Sequence, residues 1–317
     1  MSDFTAMVDS SGSLNDAAQL RNRIEVDGYL FFRQLVDGGC VTEVKQEIME
    51  ILRKYFIIED DGAPDPMWSG GPQPTEVEYM EVYDSIVDLE SFQRLAHAPQ
   101  IIAVLEAVCG EEVQVWEQQL IRIVYPAEKV AAANAIGAHQ DGDPKLGDKA
   151  SRFYTGWISL MQIDATVGGL AVAPGSHTKG LLKSQGNVAS STAMNQSLTY
   201  GLDVTKLKWA TAEFIPGSVV LFSHRTAHRG LPNHSDRIRL SCDYRYQARE
   251  DSASWLAHTR GPDVRRTAQK IDEVLSSRAF YVTTRATPDL IDKIRQCMLE
   301  ERNSTLGRAQ KLALDLG

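Results

Sequence analysis

The rhythm of apolar and polar positions changes twice along the 317-residue chain. From about Leu14 to Phe56 it is helical around one short apolar run, Gly28-Tyr29-Leu30-Phe31-Phe32, which reads as a strand. The clearest helix there runs from Val41 to Phe56. Val44, Ile48, Ile51, Leu52 and Tyr55 recur at steps of mostly three and four and build one apolar face. Asp60 to Glu76 is dense in Pro, Gly and Asp and predicts a loop. It carries Met67 and Trp68 and has the length of a lid or binding element. Pro99 to Val108 predicts a short helix, with Pro in its first turn and Gly110 just past its end.

From Glu111 to Gln247 the texture becomes that of strands. Apolar, β-branched and aromatic runs lie between Gly and Pro turns: Val113–Tyr125, Phe153–Ile163, Gly169–Ala173, Ala212–Ile215, Ser218–Phe222 and Arg237–Tyr246. Such spacing predicts an antiparallel barrel or jelly roll. Lys183 to Lys208 is polar, lacks a period and reads as an inserted loop. After Gln247 the helical rhythm returns. Thr287-Pro288 followed by Leu290, Ile291, Ile294, Met298 and Leu299 reads as a helix with Thr at its cap and Pro at its first position. The expected fold is α+β: a double-stranded β-helix, a cupin-like jelly roll, with helices at both ends. One catalytic domain, 1–317, divides into a loose tail (1–14), an N-terminal helical flank (15–110), a jelly-roll core (111–247) and a C-terminal helical extension (248–317).

Composition narrows the partners. Hydrophobic residues make up 43% of the chain, ample for a sizeable core. A formal charge of −9 makes it a poor counter-ion for phosphate, which argues against nucleic acid. Cys40, Cys109, Cys242 and Cys297 are scattered, with no C-x-x-C pair, so neither a disulfide framework nor a thiolate zinc site is expected. Met1 to Leu14 has no apolar signal-peptide region, and no run approaches a membrane span. These features lead to the expectation of a cytoplasmic protein with a small-molecule substrate and no membrane partner. The C-terminal extension would cap the pocket or form a homodimer contact.

Candidate chemistry lies in the strand-rich part. In an extended segment His139 and Asp141, two residues apart, project to one side. Two imidazoles and one carboxylate form the facial triad of non-haem Fe(II) oxygenases, whose open positions take a co-substrate and O2. His-x-Asp alone is weak evidence, and two residues compete for the third place. His224 ends an apolar strand, and His228 precedes Arg229-Gly230-Leu231-Pro232-Asn233. Spacing alone leaves that choice open. Arg237 to Arg245 alternates strictly, so Arg239, Ser241, Asp243 and Arg245 share one face and Ile238, Leu240, Cys242 and Tyr244 the other. A polar face inside a barrel implies a ligand-filled cavity. There a guanidinium can grip a carboxylate with two parallel hydrogen bonds, and Ser241 can add a third.

These pieces resemble the phytanoyl-CoA dioxygenase family of Fe(II)/2-oxoglutarate oxygenases. The matching motifs are His139-Gln140-Asp141, Trp157, Gly169-Leu170-Ala171-Val172-Ala173-Pro174-Gly175-Ser176-His177, Pro216-Gly217-Ser218, and His228 through Asn233 to Arg239; the similarity spans roughly 20–250. The resemblance implies His139, Asp141 and His228 as iron ligands and Arg239 as the 2-oxoglutarate anchor. Trp157 would form a wall of the co-substrate pocket. His224 becomes a neighbour of the metal rather than a ligand, and His177 ends a strand. The implied reaction consumes O2 and 2-oxoglutarate, releases succinate and CO2, and most simply hydroxylates a small molecule of secondary metabolism. The carboxylate at Asp141 argues against a halogenase. Trp68, Tyr79, Tyr83 and Trp255 are candidate pocket residues. Two other classes stay in view: a metal-dependent hydrolase or isomerase, for which Arg239 would have no co-substrate to hold, and a non-catalytic binding module on the same barrel.

Overall fold

The computed structural model describes residues 4–59, 62–72, 74–116, 119–127, 137–141, 152–182 and 206–251. The helix expected after Thr287, Trp255 and most of the loop expected over 183–208 lie outside the described residues.

The N-terminal flank builds the first helices. α1 (Ala17–Asp27) is capped by the Asp16 side chain, which accepts from Gln19 N, and ends at Gly28 in the left-handed conformation (φ 80°). That turn leads directly into β2 (Tyr29–Phe32). A side chain at Gly28 would strike the His177 ring, its Cβ falling 2.3 Å from Nδ1. α2 (Gly38–Lys54) begins three residues before the expected Val41, because Asp37 caps it through Gly39 N. α3 (Glu76–Val87) opens with a reciprocal Thr75/Glu78 cap. α4 (Glu90–Ala96) and α5 (Pro99–Cys109) complete the layer, α5 starting on Pro99 and ending at Gly110 as its sequence predicts.

Two antiparallel-dominated sheets follow. The larger contains β2, β3 (Val113–Val115), β4 (Leu120–Val124), β5 (Phe153–Ser159), β8 (Val219–Ser223) and β10 (Arg239–Ala248). Its order is β2-β8-β5-β10, with β3 and β4 end to end along the far side of β10. The smaller runs β1-β7-β6-β9, from β1 (Phe4–Ala6), β7 (Trp209–Thr211), β6 (Leu170–Val172) and β9 (His228–Gly230). This is the jelly roll the alternating pattern predicts.

β10 shows why that pattern is legible. Its apolar set, Leu240, Cys242, Tyr244 and Tyr246, belongs to the hydrophobic core. Tyr244 and Tyr246 donate their hydroxyls to the carbonyls of Phe92 and Ala96 on α4 (2.8 and 2.9 Å). Its polar set is also buried and faces the barrel interior, opposite Thr155, Trp157 and Ser159 of β5.

Three expectations need correction. The tail expected over 1–14 contains a strand: Phe4–Ala6 pairs in parallel with β7, and Met7 is buried. Three residues are too few for a periodic signal, and their partner lies some 200 positions away. The strand placed at Ala212–Ile215 occupies Trp209–Thr211, with Phe214 forming only an isolated bridge to Ile163. The proposed lid over 60–76 is strapped down where described. Met67 bridges Arg237, Trp68 N donates to Asp236 O (3.0 Å), and Asp65 pairs with Arg237 (3.1 Å).

Phe56, just past α2, has φ 57° and is 83% exposed. A Cβ in that conformation costs about 1 kcal/mol, and the ring recovers little by packing. Phe56→Gly should therefore stabilise the protein by up to about 0.5 kcal/mol after the entropy glycine adds to the unfolded chain, read as a small upward shift in a chemical-denaturation midpoint.

Candidate metal and co-substrate site

β9 and the residues around His139 meet in one antiparallel bridge. His139 N donates to His228 O and His228 N to His139 O, both at 2.9 Å. This backbone pair places the two imidazoles side by side, with ring centroids 4.1 Å apart. Each ring is then oriented by its own loop: Nδ1 of His139 lies 2.8 Å from Gly137 O, and Nδ1 of His228 lies 3.0 Å from Thr226 O. A carbonyl can only accept, so each Nδ1 carries a proton, and in the neutral ring Nε2 is the lone-pair nitrogen. Both Nε2 atoms point at one oxygen, Asp141 Oδ1, at 3.5 and 3.7 Å. One ligand atom from each of His139, Asp141 and His228 lies within 4.8 Å of the others. Two imidazole nitrogens and one carboxylate oxygen that converge in this way are a donor set suited to a divalent metal.

The other carboxylate oxygen is already committed. Asp141 Oδ2 accepts from Thr155 Oγ1 (2.6 Å) and lies 3.2 Å from Arg245 Nη2. Burial alone would raise the Asp141 pKa, but the Arg245 guanidinium beside it leads the interactions that hold the carboxyl well below the usual range. Burial, then the neighbouring His139, pushes His228 down to about 3, so it stays neutral and able to ligate.

Arg239 lies farther along the same interior face, six residues before Arg245. Its Nη1 donates to the carbonyls of Gly168, Gly169 (3.1 Å) and Leu231 (3.1 Å). Gly168 has φ 67°, and a Cβ there would fall 2.0 Å from Pro232 O, so only glycine lets these carbonyls crowd around the guanidinium. Arg239 Nε and Ser241 Oγ, two residues apart on one face, are buried and have no partner. Donors left idle inside a protein are costly. A bound carboxylate would satisfy both, and 2-oxoglutarate carries one at the end away from its chelating oxygens. Burial lowers Arg239 only to about 10, so it is a cation at neutral pH.

The family model for phytanoyl-CoA dioxygenase (PhyH) matches residues 24–241. The chain belongs to the phytanoyl-CoA dioxygenase family. It is accordingly an oxidoreductase of the non-haem iron, 2-oxoglutarate-dependent class. A 1-deoxypentalenic acid 11-beta-hydroxylase of Streptomyces exfoliatus is 27% identical over 285 residues, 85% of this chain and 94% of the relative. Phytanoyl-CoA dioxygenase domain-containing protein 1 of Mus musculus is 25% identical over 153 residues, 47% of this chain and 50% of the mouse protein. The solved structure of the epimerase SnoN with Fe3+, α-ketoglutarate and nogalamycin RO has the same fold (TM-score 0.52, 20% identity, covering 74% of this chain and 84% of SnoN).

The remaining family motif residues fall into place around this geometry. His224 is buried but turned toward β5, its Nδ1 3.1 Å from Phe153 O, and it stands outside the convergent set. His177 lies in a short helical turn, Ser176–Lys179, with Nε2 3.0 Å from Glu25 O; it supports the α1–β2 corner. Trp157 shares the interior face with Thr155 and stacks edge-on against Phe214 at 4.7 Å, so the described contacts are those of a core residue. Among the candidate pocket aromatics, Tyr83 donates to Gln119 O (3.2 Å) and lies beside Tyr79 on α3, against β4; Trp68 packs on the core. Arg237 is outside the barrel, paired with Asp65 and Asp164.

Several working residues escaped the sequence reading. Gln140, the middle of His-x-Asp, points away from the two ligands. It donates to the carbonyls of Gly180 (3.0 Å) and Arg225 and accepts from Leu182 N (2.7 Å), stitching the ligand segment to two loops. Asn233 is fully buried and ties Val124 O, Arg237 O and Ser235 together, which fixes the turn between His228 and Arg239. Thr155 lies 14 residues beyond Asp141 and has no local signal.

His224 also supplies a pH test. Its burial lowers its pKa from 6.5 to about 4. The unfolded chain takes up a proton near pH 6.5 while the folded chain refuses it until about 4, so acid favours unfolding across that window. The group should account for roughly 3 kcal/mol of stability lost as pH falls from 6.5 to 4. His224→Gln should flatten the fall in denaturation midpoint over that range relative to wild type; an unchanged slope would place the acid sensitivity elsewhere.

Proposed function

We propose that this chain uses Fe(II), O2 and 2-oxoglutarate to hydroxylate a small molecule of secondary metabolism. The observation that carries this is the convergence of His139 Nε2, His228 Nε2 and Asp141 Oδ1 in the same barrel as the idle, buried Arg239 Nε and Ser241 Oγ. His139, Asp141 and His228 would hold the metal. Arg239 and Ser241 would anchor the far carboxylate of 2-oxoglutarate, with Trp157 on the wall of that cavity. When bound, the iron and 2-oxoglutarate supply the O2 activation that converts a C–H bond to C–OH, with succinate and CO2 as co-products.

The chain's own residues then have three tasks. The backbone pair between His139 and His228 holds two neutral nitrogen donors in register. The Gly168, Gly169 and Leu231 carbonyls orient the Arg239 guanidinium, leaving its Nε edge for the co-substrate. The apolar side chains around the site, Phe222 at 4.5 Å from the His228 ring among them, keep the centre dry. Two relatives named as 1-deoxypentalenic acid 11-beta-hydroxylases, 27% and 28% identical, support hydroxylation of a small organic molecule. A metal-dependent hydrolase, or an isomerase that takes no co-substrate, would have no use for a buried arginine with an idle donor. No helix among the described residues is long and apolar enough to cross a membrane.

Anaerobic titration of the apo-protein with Fe(II) and 2-oxoglutarate should give the visible metal-to-ligand charge-transfer band of a chelated co-substrate. Asp141→Ala should abolish the band and turnover. Arg239→Ala should keep iron binding but raise the 2-oxoglutarate concentration needed about 30-fold or more, the equivalent of ~2 kcal/mol for one lost buried charge pair. Iron binding without a band in the wild type would reject the co-substrate assignment.

A further inference from the structure

The interior face of the larger sheet carries three arginines with different partners, two buried and one, Arg122, half-buried. Arg122 of β4 is bound to Asp243 (2.6 Å), and Arg239 is cradled by carbonyls. Arg245 reaches Asp141. Neither the metal ligation nor the co-substrate cradle uses Arg245, which is 5% exposed.

We propose that Arg245 is a positioning residue of the metal centre: with Thr155 it holds Asp141 Oδ2, so that Oδ1 alone is presented beside the two histidine nitrogens. The inference rests on the reading of His139, Asp141 and His228 as metal ligands. Three observations support it.

Arg245 and Thr155 are register partners on β10 and β5, so a single rung of the larger sheet delivers both donors to the same oxygen. The histidines are fixed on the smaller sheet by their backbone bridge, and Asp141 lies beyond that bridge. The rung therefore sets the position of the carboxylate between the sheets.

The pairing is also lopsided. Arginine–carboxylate pairs frequently lay the guanidinium fork on both oxygens. Here one amino group, Nη2, lies 3.2 Å from Oδ2, while the other, Nη1, is buried with no acceptor. The free oxygen, Oδ1, faces the two Nε2 atoms instead. An offset fork leaves a donor unsatisfied, but it reserves Oδ1 for the metal. One-oxygen ligation in turn keeps more of the metal's positions open for the co-substrate and O2.

The alternative use of Arg245, as an anchor for 2-oxoglutarate, does not fit. Its accessible partner is already a carboxylate of this chain, and the carbonyl cradle surrounds Arg239.

The test is an anaerobic Co(II) titration of the full-length apo-protein, reading affinity and the visible d–d spectrum. It would be run on wild type, Arg245→Met, Arg245→Lys, Thr155→Val and Asp141→Ala, with the melting temperature of each apo-protein. Arg245→Met should weaken Co(II) binding by about 10- to 100-fold and change the band as the freed carboxylate rotates. Thr155→Val should give a smaller loss of the same kind, and the lysine variant should recover most of the affinity. Folded Arg245→Met protein with wild-type affinity and spectrum overturns the proposal. If Arg245→Met does not fold, wild-type affinity and spectrum in both Thr155→Val and Arg245→Lys overturn it. Loss of binding in Asp141→Ala beside native binding in Arg245→Met rejects the role of Arg245 alone. Native binding in Asp141→Ala overturns the metal-site reading and the proposal together.

Discussion

Asp141 joins the two halves of this barrel, and its two oxygens answer to different sheets. Oδ1 faces the imidazoles of His139 and His228 from the smaller sheet, while Oδ2 is gripped by Thr155 and Arg245 from the larger one. A buried carboxylate so shared is tolerable only if both sheets stand at the right separation. The register of β5 on β10, the His139–His228 bridge and the loops stitched by Gln140 all serve that separation. Tight packing of the helices on the outer face of β10, through Tyr244 and Tyr246, makes the frame stiff.

A jelly roll usually fills its interior with apolar side chains. This one buries Arg239, Arg245 and Asp243 and half-buries Arg122 and Asp141 beside them. Taking such groups out of water costs several kcal/mol each unless partners are well placed, and apolar replacements are often at least as stable. The polar face of β10 is therefore poor evidence of stability and good evidence of a site. The idle donors sharpen the point. Arg239 Nε, Ser241 Oγ and Arg245 Nη1 are unsatisfied. The first two fit the proposed co-substrate carboxylate, and the third fits the proposed offset pairing of Arg245 with Asp141.

Legibility differed by the range of the interaction. α5 was readable because Pro99 and Gly110 mark its ends, and β10 because its alternation persists over ten residues. β1, β7 and β9 are three residues each, too short to show a period, and exist because a partner lies alongside. The short span from His228 to Arg239 made sense only once β9 and β10 fell on opposite sheets, with Asn233 pinning the crossing. Spacing left His224 and His228 as rivals for the metal. The resemblance favoured His228, and in the structure His228 converges with His139 and Asp141 while His224 lies outside that group.

The sequence by itself determined the chemistry on offer. It supplied the His-x-Asp pair, a later histidine, an alternating strand with arginines on one face, and glycine and proline punctuation suited to a jelly roll. These are local properties, set by periodicity and residue type. The tertiary structure decided the geometry: which nitrogen of each histidine faces Asp141, which oxygen of Asp141 faces those nitrogens, and which arginine lies beside that carboxylate and which among backbone carbonyls. Those choices depend on hydrogen bonds and ion pairs between residues from 2 to 104 positions apart, such as His139 to Gly137 and Asp141 to Arg245. A pattern along the chain records which face a residue occupies; only the meeting of two sheets settles what that face touches.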